Sequence, residues 1–542
     1  MTSLHPVDLN RFPWARPLVS ACLRDFSTVA SLFAGNPNDP RAWRDTVRRV
    51  QGAERDHAAI SRILIEQLAR RDAPAPAREA ALSLADARTV AVVTGQQAGL
   101  FGGPLYTMLK AITAIQLARR LELEQGVRTV PIFWVEGEDH DWKEVQTVHV
   151  LDADHNVRAV TVPDVPGAGQ QPVGRLTFDE RITQIIADVF TALPPSAFTG
   201  DLQARLSARY SPGAGVAAAF AGWMDDLFGA SGMVVFEGHD PAAKPLVADL
   251  FVDELDHPGR ASQLAGEAAR AMKALGHDPQ IEPPDAGVAL FYLSRDGRAP
   301  IKRRGDELVI GDAARSPAAL REEAASHPER FSPNVLLRPL VEDRLFPTVC
   351  YVAGPSELAY HAQLGGVYRA FGVQAPLVMP RVSATILDSA AVRFLERHHL
   401  SLEDLHQQEE TALTRLIERA LPTDVEQALA LMQEAMADHG RALKEAIVNL
   451  DTTLTGAVDT TLDRMGDTLR SLHGKIIQAT KRNDETLRRQ FKRTYALVYP
   501  GGAPQERTLG MLFFLNRYGP ELIQQLVDAL PLETDRHYVV AP

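Results

Sequence analysis

Cysteine is scarce in this sequence: the chain of 542 residues has only Cys22 and Cys350, which lie far apart. Two such residues exclude a disulfide framework and a zinc site built from thiolates, and they suit a reducing compartment. The chain also lacks an apolar run long enough to span a membrane, and its first residues carry no signal-peptide core. We therefore expect a cytoplasmic protein with no membrane attachment.

Positive charge is also in short supply. Lysine and arginine total 57 against 69 aspartate and glutamate residues, which gives a formal net charge of −12. Proteins that bind nucleic acids normally present a basic face to the phosphates, so this balance argues against a nucleic-acid partner. The G-x-S-x-G motif of serine hydrolases and the H-E-x-x-H motif of zinc proteases are missing as well.

One stretch, residues 89–141, has the pattern of a ligand-binding α/β unit. Residues 89–94 and 129–135 are short, almost entirely apolar runs rich in β-branched side chains, which is typical of strands in a parallel sheet. A glycine-rich turn at 95–104 follows the first run, and a helix begins at about Pro104. An acidic loop follows the second run. We predict a doubly wound α/β core that binds ligands at the carboxyl ends of its strands.

The glycine-rich turn supplies the first candidate binding residues. Gly95 and Gly99 allow the backbone to approach a ligand, and Gln96 and Gln97 offer neutral donors and acceptors for sugar hydroxyls or an adenine edge. The turn matches neither the dinucleotide-binding nor the P-loop glycine pattern, so it favours only an anion near a helix N-terminus. The alternative is a tight turn that the glutamines merely cap.

The acidic loop follows a predicted core strand, and its carboxylates Glu136, Glu138, Asp139 and Asp141 surround one histidine within six residues. The candidate catalytic residues are Glu138, Asp139, His140 and Asp141. Carboxylates in this position are suited to receive the ammonium group of an amino acid, to hold Mg²⁺ with nucleotide phosphates, or to free an amine for attack. We predict no dedicated protein metal site here. The alternative is a solvated acidic turn with a satisfied histidine.

Further candidate binding residues lie on or near predicted helices. Tyr106 and Lys110 share a helix stripe apart from the core face, and the Lys110 side chain is able to lean towards an anion at the helix N-terminus. A plain surface lysine is the alternative. Glu357 follows the strand predicted at 348–353. A basic run at 298–304 interrupts the acidic chain, and most such runs are solvated surface.

Two arginines are candidates for carboxylate recognition. Asn334 and Arg338 precede an apolar strand, and Arg381 follows the last predicted core strand. The guanidinium group suits bidentate binding of a carboxylate. For Arg338 the alternative is a structural ion pair with Glu342 or Asp343.

Several longer blocks resemble one protein family. The blocks VVTGQQAGLFGGPLYTMLKA (92–111) and FWVEGEDHD (133–141) are similar to the bacillithiol biosynthesis cysteine-adding enzymes. So are FSPNVLLRPLVEDRLFPTVCYVAGPSELAY (331–360) and MPR (379–381). The blocks occur in the family's order and cover most of the chain, which makes the resemblance more specific than any short motif.

The resemblance implies a Rossmann core like that of class I aminoacyl-tRNA synthetases, inserted connecting segments, and a coiled coil that forms a homodimer. It also implies a reaction, the addition of L-cysteine to the glucosamine amine of glucosaminyl-malate. An amide made from a free carboxylate needs activation, so we expect ATP with Mg²⁺ as the co-substrate. The two catalytic signatures of the synthetases are missing, so the route of carboxylate activation stays open. In this interpretation the acidic loop positions or deprotonates the attacking amine, and Lys110, Arg338 and Arg381 neutralise the malate carboxylates.

The residues alone leave two other classes of function open. One is a different small-molecule ATP-dependent ligase or nucleotidyltransferase on the same core. The other is a non-catalytic, metabolite-binding scaffold organised by the coiled coil. A scaffold has no need for several titratable groups at one strand end, so the acidic loop favours an enzyme.

The predicted organisation has four parts. They are a helical segment at 1–88, a core at 89–384 with insertions at about 153–230 and 257–330, a coiled coil at 385–498, and a helical segment at 499–542. Further strands are predicted at 145–152, 157–162, 233–236, 288–293, 307–310 and 377–379, and a link rather than a helix is predicted at 72–87.

The coiled coil is predicted from apolar residues that recur every three or four positions from about residue 425 to 476. A single helix of about 70 residues would be roughly 100 Å long. One globular core cannot bury its apolar stripe, so we expect it to pack on residues 387–421, on a second subunit, or on both.

Overall fold

The computed structural model of the chain describes residues 3–284, 287–406, 408–419, 421–483 and 485–542. It forms two compact units, Met1–Ile386 with Pro504–Pro542, and Leu387–Ala503. The C-terminal segment thus belongs to the first unit. Within the described ranges, no helix combines the length and the apolar character that a membrane span needs.

The strands are β1 (Ser3–Asp8), β2 (Val90–Gln97), β3 (Thr129–Glu136), β4 (Thr147–Leu151), β5 (Val157–Thr161), β6 (Val234–Glu237), β7 (Gly287–Leu293), β8 (Arg298–Arg304), β9 (Glu307–Ile310), β10 (Ala313–Arg315), β11 (Phe331–Pro333), β12 (Thr348–Ala353), β13 (Leu377–Pro380), β14 (Ser383–Ile386) and β15 (Arg536–Ala541).

The helices of the first half are α1 (Pro17–Arg24), α2 (Pro40–Gln51), α3 (His57–Arg70), α4 (Ala75–Ser83), α5 (Leu105–Gln125), α6 (Trp142–Val145), α7 (Arg181–Ala192), α8 (Thr199–Arg209), α9 (Val216–Phe228), α10 (Ala248–Asp256) and α11 (Arg260–Ala274). Those of the second half are α12 (Pro317–Ser326), α13 (Arg338–Leu345), α14 (Pro355–His361), α15 (Gly365–Ala370), α16 (Ser389–Arg397), α17 (Glu409–Arg419), α18 (Thr423–Val448), α19 (Thr455–Asn483), α20 (Glu485–Val498), α21 (Gln505–Thr508), α22 (Met511–Tyr518) and α23 (Leu522–Ala529).

The central sheet has the order β13-β12-β2-β3-β6, and all neighbouring strands are parallel. The chain builds β2, β3 and β6 in one direction and then returns to add β12 and β13 on the other side of β2. The predicted doubly wound core is therefore confirmed, with its switch point between β2 and β12. Ligands of such sheets bind at the carboxyl ends of the strands beside that point.

The first core strand is longer than predicted. β2 continues to Gln97, because Gly95 pairs with Trp134 and Gln97 pairs with Glu136 in register with β3. A Cβ atom on Gly95 would lie 2.8 Å from the Trp134 carbonyl oxygen, so glycine is needed at this close approach. The two glutamines therefore lie on a strand end and not in a loop.

A second sheet, β10-β9-β8-β7-β11, is antiparallel and comes from the inserted segment before the return to the core. The small sheet predicted around 288–310 is confirmed, and β11 joins it by pairing Phe331 with Tyr292. The predicted hairpin is also confirmed as antiparallel β4 and β5.

A third sheet, β1-β15-β14, joins the two ends of the chain. The segments at 1–88 and 499–542 were both predicted as helical; both contain helices, and each also contributes one strand to this sheet. The two strands, β1 and β15, pair with each other although more than five hundred residues separate them in the sequence. A local sequence pattern carries no information on such a pairing. The predicted link at 72–87 also contains a helix, α4, because its alanines pack against the core.

The coiled coil of the second unit is a hairpin, so the prediction of one long helix is wrong. α18 and α19 run antiparallel. Gly440 lies against Leu462 and Lys444 pairs with Asp459. Further along the hairpin, Nε2 of His473 lies 3.3 Å from the Glu426 carboxylate. The helices are separated by a short polar turn in which the Asp451 side chain accepts from the backbone N–H of Thr453 at 2.8 Å.

Candidate active site

A cleft of about 660 Å³ opens at the carboxyl ends of β2, β3 and β12, beside the switch point of the central sheet. The inserted sheet supplies the opposite wall through β7 and β8. The predicted site residues that line it are Gly95, Gln96, Gln97, Asp139, His140, Asn334, Arg338 and Glu357. Side chains from three separate blocks of the sequence therefore converge here.

Lys110 organises the floor of the cleft and is almost completely buried, at 1% exposure. Its ammonium group donates to the Gly95 carbonyl and, at 3.2 Å, to Oε1 of Gln96, and it pairs with Glu357 at 2.6 Å. Burial lowers the pKa of Lys110, and the Glu357 carboxylate opposes that shift. Glu357 also accepts from the Tyr351 hydroxyl at 2.8 Å. Lys110 is therefore an internal anchor and not a surface lysine.

Asp139 and His140 lie at the acidic edge of the cleft. The Gln97 amide donates to Asp139 at 3.0 Å, and a guanidinium nitrogen of Arg298 lies 3.4 Å from the same carboxylate. The His140 ring is 42% exposed, with Nδ1 3.4 Å from Asp139. The backbone of the acidic loop is held in place as well, because the N–H of Val173 donates to the Asp139 carbonyl at 2.7 Å.

The other two candidate catalytic residues lie outside the lining of the cleft. Glu138 is buried, pairs with Lys244 and accepts from the Ser332 hydroxyl at 3.1 Å. Asp141 is exposed and caps α6, where it accepts from the backbone N–H of Glu144 at 3.3 Å. Side chains of consecutive residues in a tight turn point in different directions. The closeness of the carboxylates in the sequence of the acidic loop therefore could not show which of them face a ligand.

Glu136, the last residue of β3, lines the cleft and was not among the predicted site residues. Its carboxylate accepts from the Trp134 indole N–H at 3.2 Å and from the backbone N–H of Glu138 at 2.9 Å. Burial raises the pKa of Glu136, Arg338 opposes that shift, and the charge of Glu138 adds to it. Its place at the end of a predicted strand was the signal that could have identified it.

Arg338 begins α13 and reaches the cleft wall opposite Glu136, with 3.7 Å between guanidinium and carboxylate. It also pairs with Glu342 at 2.9 Å and donates to the Tyr360 hydroxyl at 2.9 Å. Burial alone would lower the pKa of Arg338, but the nearby Tyr360 oxygen and the Glu342 carboxylate outweigh it and raise the pKa well above its ordinary value. The structural ion pair and the place in the cleft, which the sequence offered as alternatives, are both present.

Arg298 and Lys302 bring part of the basic run at 298–304 into the cleft. The Arg298 guanidinium stacks on Phe291 at 3.7 Å and donates to the Ser332 hydroxyl and the Pro333 carbonyl, at 3.2 and 3.1 Å. Its contact with Asp139, at 3.4 Å, links the inserted sheet to the acidic loop of the core. Lys302 lies at the exposed rim. The basic run gave the only sequence signal for these residues.

Besides Lys110, two predicted binding residues, Arg381 and Tyr106, lie outside the lining. Arg381 is buried, and two of its nitrogens donate to the Glu506 carboxylate at 2.6 and 3.0 Å. Tyr106 packs beneath it, with the guanidinium 5.8 Å from the ring centre, and meets the Gln96 amide at 3.4 Å. A bidentate carboxylate partner was expected for Arg381, and the protein itself supplies it.

Gly99 also lies outside the lining, because the C-terminal segment covers the glycine turn. The backbone N–H of Leu105 donates to the Leu509 carbonyl at 2.8 Å, so the start of α5 already has an acceptor. Gly102 has φ +97, and a Cβ atom there would lie 2.6 Å from the Met511 sulfur. The tight-turn interpretation therefore holds for this part of the turn, and the anion expected at the helix N-terminus has no open site.

The cleft offers carboxylates and cations to one ligand. Glu136, Asp139 and Glu144 are suited to ammonium groups, and Arg298, Lys302 and Arg338 are suited to carboxylates or phosphates. A Rossmann-like α/β domain with this cleft, followed by a helical hairpin, defines a class of small-molecule enzymes with a coiled-coil appendage.

Comparison with known families narrows the class. Residues 5–382 match the model described as "Bacillithiol biosynthesis BshC, N-terminal Rossmann-like domain", and residues 384–542 match "Bacillithiol biosynthesis BshC, C-terminal coiled-coil domain". The chain belongs to the BshC family, as its sequence blocks indicated.

Curated relatives agree over nearly the full length. A protein of Salinibacter ruber named "Putative cysteine ligase BshC" is 34% identical over 543 residues, covering 99% of this chain and 97% of its own. Proteins of the same name from Symbiobacterium thermophilum and Bacillus pumilus are each 31% identical, covering 95% and 81% of this chain and 95% and 82% of their own.

Proposed function

We propose that this protein is a carbon–nitrogen ligase that adds L-cysteine to the glucosamine amine of glucosaminyl-malate in bacillithiol biosynthesis. Family membership and the name of the relatives support cysteine as a substrate. The observation that carries the proposal is the mixed charge of the cleft, which is lined by the carboxylates of Glu136 and Asp139 and by two guanidinium groups, Arg338 at 3.7 Å from Glu136 and Arg298 at 3.4 Å from Asp139.

The two substrates carry the charges that the cleft is built to receive. Cysteine and the amino sugar each bring one ammonium group, and the malate moiety brings two carboxylates. Lys110 and Arg381 lie outside the lining of the cleft and are bound by internal carboxylates, so we leave them out of the malate site. The malate site proposed here uses Arg338 and Lys302, with Asn334 between the two walls as a neutral donor.

We extend the proposal to ATP with Mg²⁺, which would bind in the same cleft. Mg²⁺ is usually bound by one or two carboxylates together with phosphate oxygens. Asp139 and Glu144 both face the cleft, and Oε1 of Gln97 beside them is buried without a hydrogen-bond partner. The carboxylates of Asp139 and Glu144 would hold the ion together with the phosphate oxygens. When bound, the nucleotide supplies the leaving group that a free carboxylate lacks.

We also propose that the protein is a homodimer through its coiled coil. The hairpin carries large apolar side chains that are at least 44% exposed, namely Leu431, Met432, Leu443, Met465 and Leu472. Exposed apolar stripes of this length on helices normally bury against another chain.

The test is direct synthesis. Purified protein is incubated with cysteine, glucosaminyl-malate, ATP and Mg²⁺, and the amide product is detected by mass spectrometry with each component omitted in turn. Asp139→Asn should abolish turnover, whereas Asp141→Asn, the matched change two residues away, keeps the helix cap and should stay active. Absence of product from the complete mixture would refute the proposed function.

A further inference from the structure

Glu136 has the surroundings of a group that exchanges a proton with a ligand. It lies at the carboxyl end of β3, lines the cleft, and its side chain is 18% exposed, so one side of the carboxylate is open to a substrate. Its other contacts are hydrogen bonds from Trp134 and the Glu138 backbone. These donors orient the carboxylate without saturating its four lone-pair positions.

We propose that Glu136 is the general base that removes a proton from the substrate ammonium group, which rests on the amide-forming function proposed above. In this step one N–H bond of the ammonium group breaks and an O–H bond forms on Glu136. The nitrogen keeps the electron pair and becomes the nucleophile. Glu136 later returns its proton to water, so the enzyme regains its starting state.

The neighbouring acids are less free to act. Glu138 is buried and paired with Lys244, and Asp141 caps a helix. Asp139 accepts from Gln97 and lies beside Arg298. A carboxylate that accepts a hydrogen bond from a cation is a weaker base than one that accepts only from neutral donors. Among the described carboxylates of the acidic loop, Glu136 is the one that is open to the cleft and accepts no hydrogen bond from a cation.

The electrostatic setting agrees with this role. Burial is the largest influence and raises the pKa of Glu136, and the charge of Glu138 raises it further. Arg338, at 3.7 Å, and Arg298 lower the pKa of Glu136. Glu342 also pairs with Arg338 and partly offsets the positive charge of that guanidinium group. A carboxylate whose pKa lies nearer to the working pH is a better acceptor for the proton of an amine.

The test compares Glu136→Gln with Glu122→Gln. Glu122 binds Arg128 and the backbone N–H of Thr129 at the opposite end of the same strand, so it is a matched carboxylate far from the cleft. For Glu136→Gln we expect kcat to fall by about 100-fold or more, KM for both substrates to change little, and the low-pH limb of the rate profile to move. For Glu122→Gln we expect wild-type kinetics.

A second variant separates proton transfer from support of the fold. Glu136→Ala leaves room for a small acid, and sodium formate should restore a measurable part of kcat in a concentration-dependent way. The proposal is overturned by a Glu136→Gln variant that keeps wild-type kcat and pH profile. It is also overturned if kcat falls without formate rescue while KM for the amine rises in proportion. If the wild type forms no amide at all, the function itself fails, and the two failures are thus distinguishable.

Discussion

Replacing Lys110 by methionine tests whether the floor of the cleft depends on one buried cation. Lys110 pairs with Glu357 at 2.6 Å and donates to Gly95 and Gln96. Removing one member of a buried pair typically costs about 3–5 kcal/mol, because the other charge loses its partner. Glu357 is still 21% exposed and keeps hydrogen bonds from Tyr351 and from the backbone of Gly354. We therefore expect Lys110→Met to lower the free energy of unfolding by about 3 kcal/mol, near the lower end of that range.

The assay is urea unfolding followed by tryptophan fluorescence. All five tryptophans, at positions 14, 43, 134, 142 and 223, lie in the first unit, so their emission reports that unit and not the helical hairpin. The control is Lys143→Met, which removes an exposed pair with Asp164 at 3.1 Å and should cost less than about 1 kcal/mol.

A double variant checks the mechanism of the loss. Glu357→Gln removes the unpaired charge, so Lys110→Met with Glu357→Gln should be more stable than the sum of the two single changes by about 1–3 kcal/mol. The reasoning is refuted if Lys110→Met unfolds at the same urea concentration as Lys143→Met, or if the two single changes are additive.

The core and the position of the cleft were predictable because their signals are local. Residues 89–94 and 129–135 are apolar and rich in β-branched side chains, and each run is followed by polar residues. Parallel strands bring such ends to one edge of the sheet, so Gln96, Gln97, Asp139 and His140 were correctly expected to lie together.

The partners of the cations were not predictable. A sequence shows that Lys110 and Arg381 are charged, but it does not show that Glu357 and Glu506 meet them inside the fold. The Arg381–Glu506 pair spans 125 residues and depends on the C-terminal segment returning to the first unit. Ion pairs between residues so far apart in the sequence are determined by tertiary packing. Tertiary packing also determines that Arg298 lines the cleft and Arg381 does not.

The turn in the coiled coil was hidden by its own apolar residues. Leu450 and Leu454 continue the three- and four-residue spacing through the turn, although they are 82% and 41% exposed. Periodicity records the helical face that a residue would occupy, and it carries no information on where the chain reverses. The short polar sequence around Asp451 was the better signal, because an aspartate there caps the turn.

Three further predictions concern pH, assembly and the acceptor. Burial raises the pKa of Asp343 to about 7, so its contribution to stability is greatest at low pH and is lost as the pH rises towards 7. Asp343→Asn should therefore lessen the fall in urea midpoint between pH 5 and pH 8, and parallel curves for variant and wild type would contradict this. Leu443→Glu with Leu472→Glu should convert dimers into monomers in sedimentation at micromolar concentration. Leu123→Glu, at an even more exposed leucine of the first unit, should not. Arg338 lines the cleft at 14% exposure while Arg381 is bound by Glu506, so only Arg338→Ala should weaken use of glucosaminyl-malate selectively. Loss of a charged hydrogen-bonded contact is worth about 1.5–3 kcal/mol, which is a ten- to hundredfold fall in kcat/KM. An acceptor that lacks the malate should show no such fall, because it has no carboxylate for Arg338 to bind. Arg381→Ala should lower stability and affect both acceptors alike, and equal losses on both acceptors for Arg338→Ala would remove that residue from the malate site.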